Sequence, residues 1–195
     1  MKKKIARGAE AVIYEKGSNI IKDRIKKKYR IKEIDELLRK QRTRRESKIL
    51  KKSPISSPKL IKEEKTKIMM EKIHGKRIRD LLDNNLNLVK EIAESISKLH
   101  DNNIIHGDLT TSNMILNQKN NKVYFIDFGL SFISHKTEDK AVDIHLFKQA
   151  LESKHYKAYE KALKLFIKHY NPKNKKNILK RLEKVEKRGR YKTKG

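Results

Sequence analysis

Three polar residues in the middle of the chain constrain its fold more than any other feature. Asp108 and Asn113 lie in the segment IHGDLTTSNMIL, and Asp127 follows the apolar run VYFI directly, in IDFG. Short apolar runs on either side of the polar segment predict buried strands. The pattern therefore predicts a polar loop held between rigid elements, a place where side chains with chemical roles are often found.

The residue types in this region suit phosphoryl transfer. That reaction requires oxygen ligands for Mg²⁺ and a carboxylate near the attacking oxygen, since catalysis is mostly positioning and charge stabilisation. Asp108 is the candidate to face a hydroxyl or a water, while Asn113 and Asp127 are candidate metal ligands. Gly129 gives the turn after Asp127 its backbone freedom. The sequence therefore predicts an ATP- and Mg²⁺-dependent centre between His106 and Gly129.

The charge of the chain indicates a polyanionic partner. Lys and Arg number 51 against 24 Asp and Glu, which leaves a formal charge of +27 over 195 residues. A highly charged surface can also reflect genome composition or growth temperature, but that explanation predicts balanced ion pairs. A nucleotide alone does not require so many cations. We therefore expect a nucleic acid among the partners.

The absence of cysteine excludes disulfides and thiolate zinc sites. A reducing cytoplasm is the expected location. No apolar run is long enough to span a bilayer, and charged residues interrupt the N-terminal segment where a secretion signal would need an apolar stretch. The sequence therefore predicts a soluble protein with no membrane partner.

Apolar spacing predicts the order of the structural elements. Residues 11–21 indicate a hairpin that turns at Gly17, residues 31–52 a long charged helix, and KTKIMMEKI a further strand. A helix follows over residues 88–99, and helical patterns dominate after Phe132. We expect an α+β, bilobal fold with a small β-rich N-lobe (1–72), a reduced α-helical C-lobe (73–187) and a basic tail (188–195).

HGDLTTSN followed by IDFG resembles the catalytic loop and metal-binding motif of the protein-kinase superfamily. The resemblance implies a bilobal kinase-like fold with Asp108 as catalytic base. It implies that Asn113 and Asp127 bind the metal and that His106 supports the loop.

The same resemblance implies an ATP site in the N-lobe. Lys22 matches the phosphate-binding lysine, although Lys16 and Arg24 also suit that role by spacing. Glu46 matches its ion-pair partner on the helix, and Gly8 remains from the glycine-rich loop. The backbone groups of Glu71 and Ile73 match the hinge that binds adenine.

Departures from the superfamily pattern bear on the substrate. Gly107 replaces the usual Arg before the catalytic Asp, and Thr110 replaces the Lys two residues after it. The stretch between Asp127 and Asp143 contains no A-P-E motif. A docking platform for peptide substrates is therefore not expected, which favours ATP hydrolysis over efficient protein phosphorylation.

The chain is more closely similar to RIO-like atypical kinases, and above all to the small kinase/ATPase subunit of KEOPS complexes. The segments RGAEAVIY, IKDRIKKKYR, RTRRES and DKAVDIHLFKQAL carry this resemblance. It implies an ATPase and atypical Ser/Thr kinase that assists threonylcarbamoylation of adenosine in tRNA. Its implied partners are the metal-binding catalytic subunit of KEOPS, a small regulatory subunit and tRNA.

Further residues receive roles from this resemblance. Asp143 is expected to anchor the catalytic loop from its helix. The basic tail is expected to contact tRNA or a partner through Arg188, Arg190, Lys192 and Lys194.

Three alternative functions differ from the KEOPS interpretation in specific features of the sequence. A small-molecule kinase such as an aminoglycoside phosphotransferase needs more chain after Gly129 to form a substrate pocket. A RIO-type kinase of ribosome assembly is closer, but IDFGLS and the short leading segment favour KEOPS. A catalytically weak scaffold that binds RNA or protein has no need of Asp108, Asn113 and Asp127 together.

Overall fold

The N-terminal part of the chain forms an antiparallel sheet crossed by one long helix. The computed structural model describes residues 2–191, with side chains to residue 188. The five strands are β1 (Lys3–Arg7), β2 (Ala11–Lys16), β3 (Asn19–Arg24), β4 (Leu60–Glu63) and β5 (Lys67–Glu71), and they lie in the order β1-β2-β3-β5-β4. The predicted hairpin is the β2–β3 pair, whose turn contains Gly17 at a φ of +58°.

Helix α1 (Lys32–Lys52) agrees with the predicted helix over 31–52. Glu33 and Asp35 lie in its first turn and Lys51 and Lys52 in its last, an arrangement that the helix dipole favours. Glu46 lies on its buried face. The helix therefore presents a carboxylate to the sheet.

The C-terminal part is mainly helical. Its elements are β6 (Gly75–Arg77), α2 (Leu88–Asp101), β7 (Ile104–Ile105), β8 (Met114–Asn117), β9 (Val123–Phe125), β10 (Phe132–Ile133), α3 (Thr137–Lys154), α4 (Tyr159–His169) and α5 (Lys175–Tyr191). Strands β6, β8 and β9 form one small sheet, and β7 pairs with β10. This architecture confirms the expected α+β kinase-like fold. No helix in the described part of the chain is long and apolar enough to cross a membrane.

Helix α2 delivers the chain to the polar loop. Its apolar stripe is buried, as the 3.6-residue period predicts. The helix ends where the Asn102 side chain donates to the Lys98 carbonyl at 2.8 Å and Asn103 adopts a left-handed φ of +57°. Strand β7 follows and leads directly to His106.

The C-terminal boundary differs from the sequence prediction. Helix α5 continues to Tyr191, so the backbone of Arg188 and Arg190 is helical, although the tail was expected to begin at residue 188. The Arg188 guanidinium lies 3.1 Å from Glu138 Oε1 on α3. The Arg190 side chain, Lys192 and Lys194 lie outside the described residues.

Candidate active site

A cleft of about 300 Å³ brings together residues from both parts of the fold. Its walls include Lys22, Glu46, Glu71, Ile73, Asn113 and Asp127. Six of the residues singled out in the sequence therefore line one cavity, although they are distributed over more than half of the chain. Gly8 is not among the lining residues; its amide donates to the Ala11 carbonyl at 2.9 Å in the β1–β2 turn.

Lys22 is the electrostatic centre of the cleft. Its Nζ lies 2.8 Å from Glu46 Oε1 and 2.6 Å from Asp127 Oδ1. Burial alone would lower the pKa of Lys22, but the two carboxylates outweigh burial and raise it. Burial likewise acts to raise the pKa of Asp127, and Lys22 more than offsets this and lowers it. Both groups are therefore charged at neutral pH.

Arg24 is part of the site. The sequence indicated it only as an alternative to Lys22 for the phosphate-binding role. Its Nη2 lies 2.6 Å from Glu46 Oε2, and the Arg24 side chain is only 5% exposed. Each oxygen of the Glu46 carboxylate therefore binds one cation. The period of two residues along β3 places Lys22 and Arg24 on the same face, so the strand pattern could have indicated this pair.

Gly129 allows these charges to come close together. A Cβ at this position would lie 3.1 Å from Asp127 Oδ1, 3.2 Å from Arg24 Nη2 and 3.4 Å from Lys22 Nζ. Asp127 itself has a left-handed φ of +63°, and its Oδ1 accepts from the Gly129 amide at 3.3 Å. The turn directs the Asp127 carboxylate back to the cleft.

Asp108 and Asn113 are in direct contact. Asn113 Nδ2 donates to the Asp108 backbone carbonyl at 3.0 Å and to Asp108 Oδ2 at 2.8 Å. These bonds fix which end of the Asn113 amide is the nitrogen, and they leave Oδ1 available. A carboxylate at Asp127 and an amide oxygen at Asn113, both on the cleft wall, form a donor set that suits Mg²⁺. In the described residues no group of three or more His, Asp or Glu side chains could hold a metal by itself.

Asp143 on α3 holds the start of the polar loop. Its two carboxylate oxygens accept from the amides of His106 and Gly107, each at 2.8 Å. Behind it, His100 Nε2 lies 3.2 Å from Asp143 Oδ2, and His100 Nδ1 lies 2.7 Å from the Tyr170 hydroxyl. Burial raises the pKa of Tyr170, so this hydroxyl remains neutral.

His106 is fully buried and supports the loop from inside. Its Nδ1 accepts from the Asp108 amide at 3.3 Å, and its ring packs against Phe128 at a centroid distance of 4.9 Å. Burial lowers the pKa of His106 despite nearby carboxylates. The ring is therefore neutral at physiological pH.

Gly107 shows why the usual Arg is absent from this loop. Its φ is +78°, and a Cβ there would lie 2.6 Å from the Leu130 carbonyl oxygen. Any side chain would collide with that backbone group. The loop conformation itself therefore excludes Arg at this position.

The comparisons with known proteins agree with this geometry. The family model described as the RIO domain matches residues 9–142. The KEOPS complex subunit Bud32 of Pyrococcus abyssi is 42% identical over 97% of this chain and 96% of its own length. A probable serine/threonine-protein kinase BUD32 homolog of Archaeoglobus fulgidus is 34% identical over 96% of both chains.

A longer relative covers the same region. The probable bifunctional tRNA threonylcarbamoyladenosine biosynthesis protein of Methanococcus vannielii is 42% identical over 96% of this chain. The matched region makes up 36% of the length of that relative.

Proposed function

Because this chain belongs to the RIO domain family and, within it, to the Bud32 proteins, we propose that it is an ATP-hydrolysing KEOPS subunit that supports threonylcarbamoyladenosine modification of tRNA. The observation that carries the proposal is the position of Lys22 between Glu46 and Asp127 on the wall of one cleft. Lys22, Arg24, Glu46 and Asp127 are joined by ion pairs. A polyphosphate can replace a carboxylate beside the cations, and its metal ion can replace the cation beside Asp127.

The cleft is lined by both charged and apolar residues, which suits the phosphates and the adenine of ATP. Lys22 is assigned to the phosphates, and Gly8, in the β1–β2 turn, is assigned to approach them when they are bound. The backbone of Glu71 and Ile73, which also line the cleft, is assigned to adenine. Met70 and Ile20 supply apolar surface beside this backbone, which suits a purine ring.

Asp127 and Asn113 are assigned to the metal. When bound, Mg²⁺ would offset the negative charge that develops on the phosphate oxygens. Asp127 must leave Lys22 to become a ligand, which frees the Lys22 ammonium for phosphate. Asn113 keeps its Oδ1 available because Asp108 holds its Nδ2.

Asp108 is assigned to the attacking oxygen. Its Oδ2 accepts from Asn113, so the carboxylate is fixed relative to the metal ligand and can orient a water and receive its proton. Thr110 replaces the lysine that contacts the γ-phosphate in the superfamily, and no A-P-E motif lies between Asp127 and Asp143, so water is the assigned acceptor. Transfer to Ser or Thr hydroxyls is the slower activity of the same site.

The proposed setting is a cytosolic assembly that works on tRNA. The +27 charge supplies many cations for phosphate contacts, which are sensitive to salt and insensitive to base identity. Arg188, Arg190, Lys192 and Lys194 at the end of α5 and beyond are assigned to tRNA or to the partner subunits as a group. The absence of cysteine fits a reducing compartment.

The test is Mg·ATP turnover of the full chain, alone and with tRNA and the metal-binding KEOPS subunit. Asp127→Ala is expected to lower turnover by about 10²- to 10⁴-fold. Asp80→Ala is the matched control because this carboxylate is exposed and, among the described residues, forms an ion pair with the neighbouring Arg79 side chain alone. Equal turnover of wild type and Asp127→Ala would reject the enzyme proposal and favour a scaffold.

A further inference from the structure

A buried histidine links the catalytic loop to two distant parts of the C-lobe. His155 Nε2 lies 2.9 Å from Thr111 Oγ1, and His155 Nδ1 lies 2.9 Å from Asp83 Oδ1. Thr111 is 44 positions from His155 in the chain, and Asp83 is 72 positions away. The contact therefore joins the catalytic loop, the end of α3 and the short turn before α2.

The chemistry of the three groups fixes the direction of the hydrogen bonds. An ionised carboxylate only accepts, so Asp83 places the imidazole proton on Nδ1. In the neutral imidazole Nε2 is then an acceptor, and the Thr111 hydroxyl donates to it. The chain of bonds runs from Thr111 through His155 to Asp83.

This arrangement resembles a nucleophile activated by histidine and aspartate, but access excludes that role. Thr111 is 1% exposed, and the His155 side chain is 0% exposed. No substrate can reach the Thr111 hydroxyl. The hydrogen bonds therefore position the Thr111 side chain and do not activate its hydroxyl as a nucleophile.

The group that they position is close to the assigned metal ligand. Thr111 and Asn113 belong to the same single 3-10 turn (Thr111–Asn113), and the Asn113 amide donates to the Thr110 carbonyl at 3.0 Å. The turn carries no side-chain cap, and its end is held by the Ile126 amide, which donates to the Asn113 carbonyl at 2.9 Å. The bond from Thr111 to His155 is a restraint at the start of the turn, so it limits the rotation of the turn and with it the direction of Asn113.

We propose that His155, oriented by Asp83, is a positioning residue that holds Thr111 and so directs Asn113 into the cleft. The catalytic consequence rests on the proposed function, whereas the positional consequence does not. Loss of the Thr111 hydroxyl should loosen Asn113 while leaving Asp127 and Lys22 in place.

The experiment uses Thr111→Val, which keeps the shape of the side chain and removes the hydroxyl. Thr111→Ser is the conservative rescue, Asp83→Asn tests the orienting carboxylate, and Thr66→Val, in the turn before β5, is the matched control. The first readout is NMR of the ¹⁵N-labelled full chain. It reports the His155 tautomer from the ring nitrogens and the exchange rate of the Asn113 side-chain NH₂ protons.

We expect wild-type His155 to carry its proton on Nδ1, and we expect the Asn113 NH₂ protons to exchange about tenfold faster in Thr111→Val. Thr111→Ser and Thr66→Val should behave like wild type. An unchanged Asn113 exchange rate in Thr111→Val, or a wild-type proton on Nε2, would overturn the positioning role.

The second readout is the Mg²⁺ concentration for half-maximal ATP turnover, which we expect to rise about tenfold in Thr111→Val with a smaller change in kcat. Faster Asn113 exchange with unchanged Mg²⁺ dependence would overturn the metal role of the link and leave ATP hydrolysis intact. No turnover in the wild type, together with faster Asn113 exchange in Thr111→Val, would reject the proposed function and retain the positional link.

Discussion

Lys22 Nζ lies 2.6 Å from Asp127 Oδ1, although the two residues are 105 positions apart in the chain. The bond joins the sheet of the N-terminal part to the turn that begins at Asp127 in the C-terminal part. Each group is also the counter-ion of the other, so both charges are neutralised before any ligand enters the cleft. Under the proposed function, binding of Mg·ATP exchanges this ion pair for a metal on Asp127 and phosphate on Lys22.

The first prediction concerns the pH range over which this pair stabilises the fold. The Asp127 pKa is lowered, so its contribution is complete above the ordinary pKa of 3.8 and is lost as pH falls through the folded value. The Lys22 pKa is raised, so its contribution is complete below 10.5 and is lost as pH rises through the folded value. The stabilisation should therefore be constant at intermediate pH.

Asp127→Asn is expected to lower Tm by about 2–4 °C near neutral pH, the shift that corresponds to about 1 kcal/mol in a chain of this size. The Tm difference from wild type should stay constant between about pH 5 and 9 and narrow below about pH 4. Thermal unfolding followed by circular dichroism provides the measurement. Asp80→Asn should show no such difference, and a Tm difference that varies within the intermediate range contradicts the prediction.

The second prediction concerns Arg24. Removing it leaves Oε2 of Glu46 buried and without its cation, because the Glu46 side chain is 1% exposed. Breaking a buried ion pair by removing one partner costs about 3–5 kcal/mol. Arg24→Ala should therefore lower the free energy of unfolding by that amount in urea denaturation.

Two further variants make the Arg24 prediction specific. Adding Glu46→Gln to Arg24→Ala should recover part of the loss, since the buried charge that lost its second cation is then absent. Arg79→Ala, which removes an exposed partner of Asp80, should cost about 0–1 kcal/mol. Equal costs for Arg24→Ala and Arg79→Ala would show that Arg24 does not stabilise Glu46.

Much of the fold could be predicted from the sequence because its strongest patterns are local. The 3.6-residue period of α2 and the polar loop between short apolar runs depend on neighbouring residues, and the structure contains both. β1 was missed because KKIAR is an exposed edge strand with no buried face, so no alternation marks it. Helix α5 extends to Tyr191, into the segment expected as a basic tail, because a basic composition fits a solvated helix as well as a tail.

The sequence indicated several residues that the structure brings together, but less about the contacts between them. The order of the motifs singles out Lys22, Glu46 and Asp127, whereas the contact of Arg24 with Glu46 joins β3 to α1 and exists only in the folded chain. The link from Thr111 to His155 has no sequence pattern, because it joins positions that only the folded helices bring together. Local patterns identify functional groups, and tertiary packing decides which of them touch.

The third prediction concerns the two glycines of the loops. Gly107→Ala forces a left-handed φ on a residue with a Cβ and places that atom 2.6 Å from the Leu130 carbonyl oxygen, so we expect a large loss of stability. At Gly129 the neighbours are side-chain ends at 3.1–3.4 Å, which can move by a few tenths of an ångström. Gly129→Ala should therefore fold and lose roughly tenfold in turnover.

Thermal unfolding and ATP turnover of both glycine variants separate the two effects. Gly17→Ala, also at a left-handed φ but with nothing within 4 Å of its Cβ, controls for backbone strain alone. Gly107→Ala should have a lower Tm than Gly17→Ala. Equal Tm values would show that the contact with Leu130 carries no cost beyond the strained φ.

The fourth prediction concerns the hydroxyl behind Asp143. Tyr170→Phe removes the bond to His100 Nδ1 at 2.7 Å and leaves that nitrogen buried without a partner. An unsatisfied buried polar atom costs about 1–3 kcal/mol, so the free energy of unfolding should fall by this amount. Because His100 also contacts Asp143, which binds the His106 and Gly107 amides, hydrogen exchange at those two amides should accelerate.

Tyr156→Phe is the matched control because the Tyr156 ring is 72% exposed. If Tyr170→Phe loses stability while the His106 and Gly107 amides keep their wild-type protection, Tyr170 stabilises the helices and has no part in holding the loop.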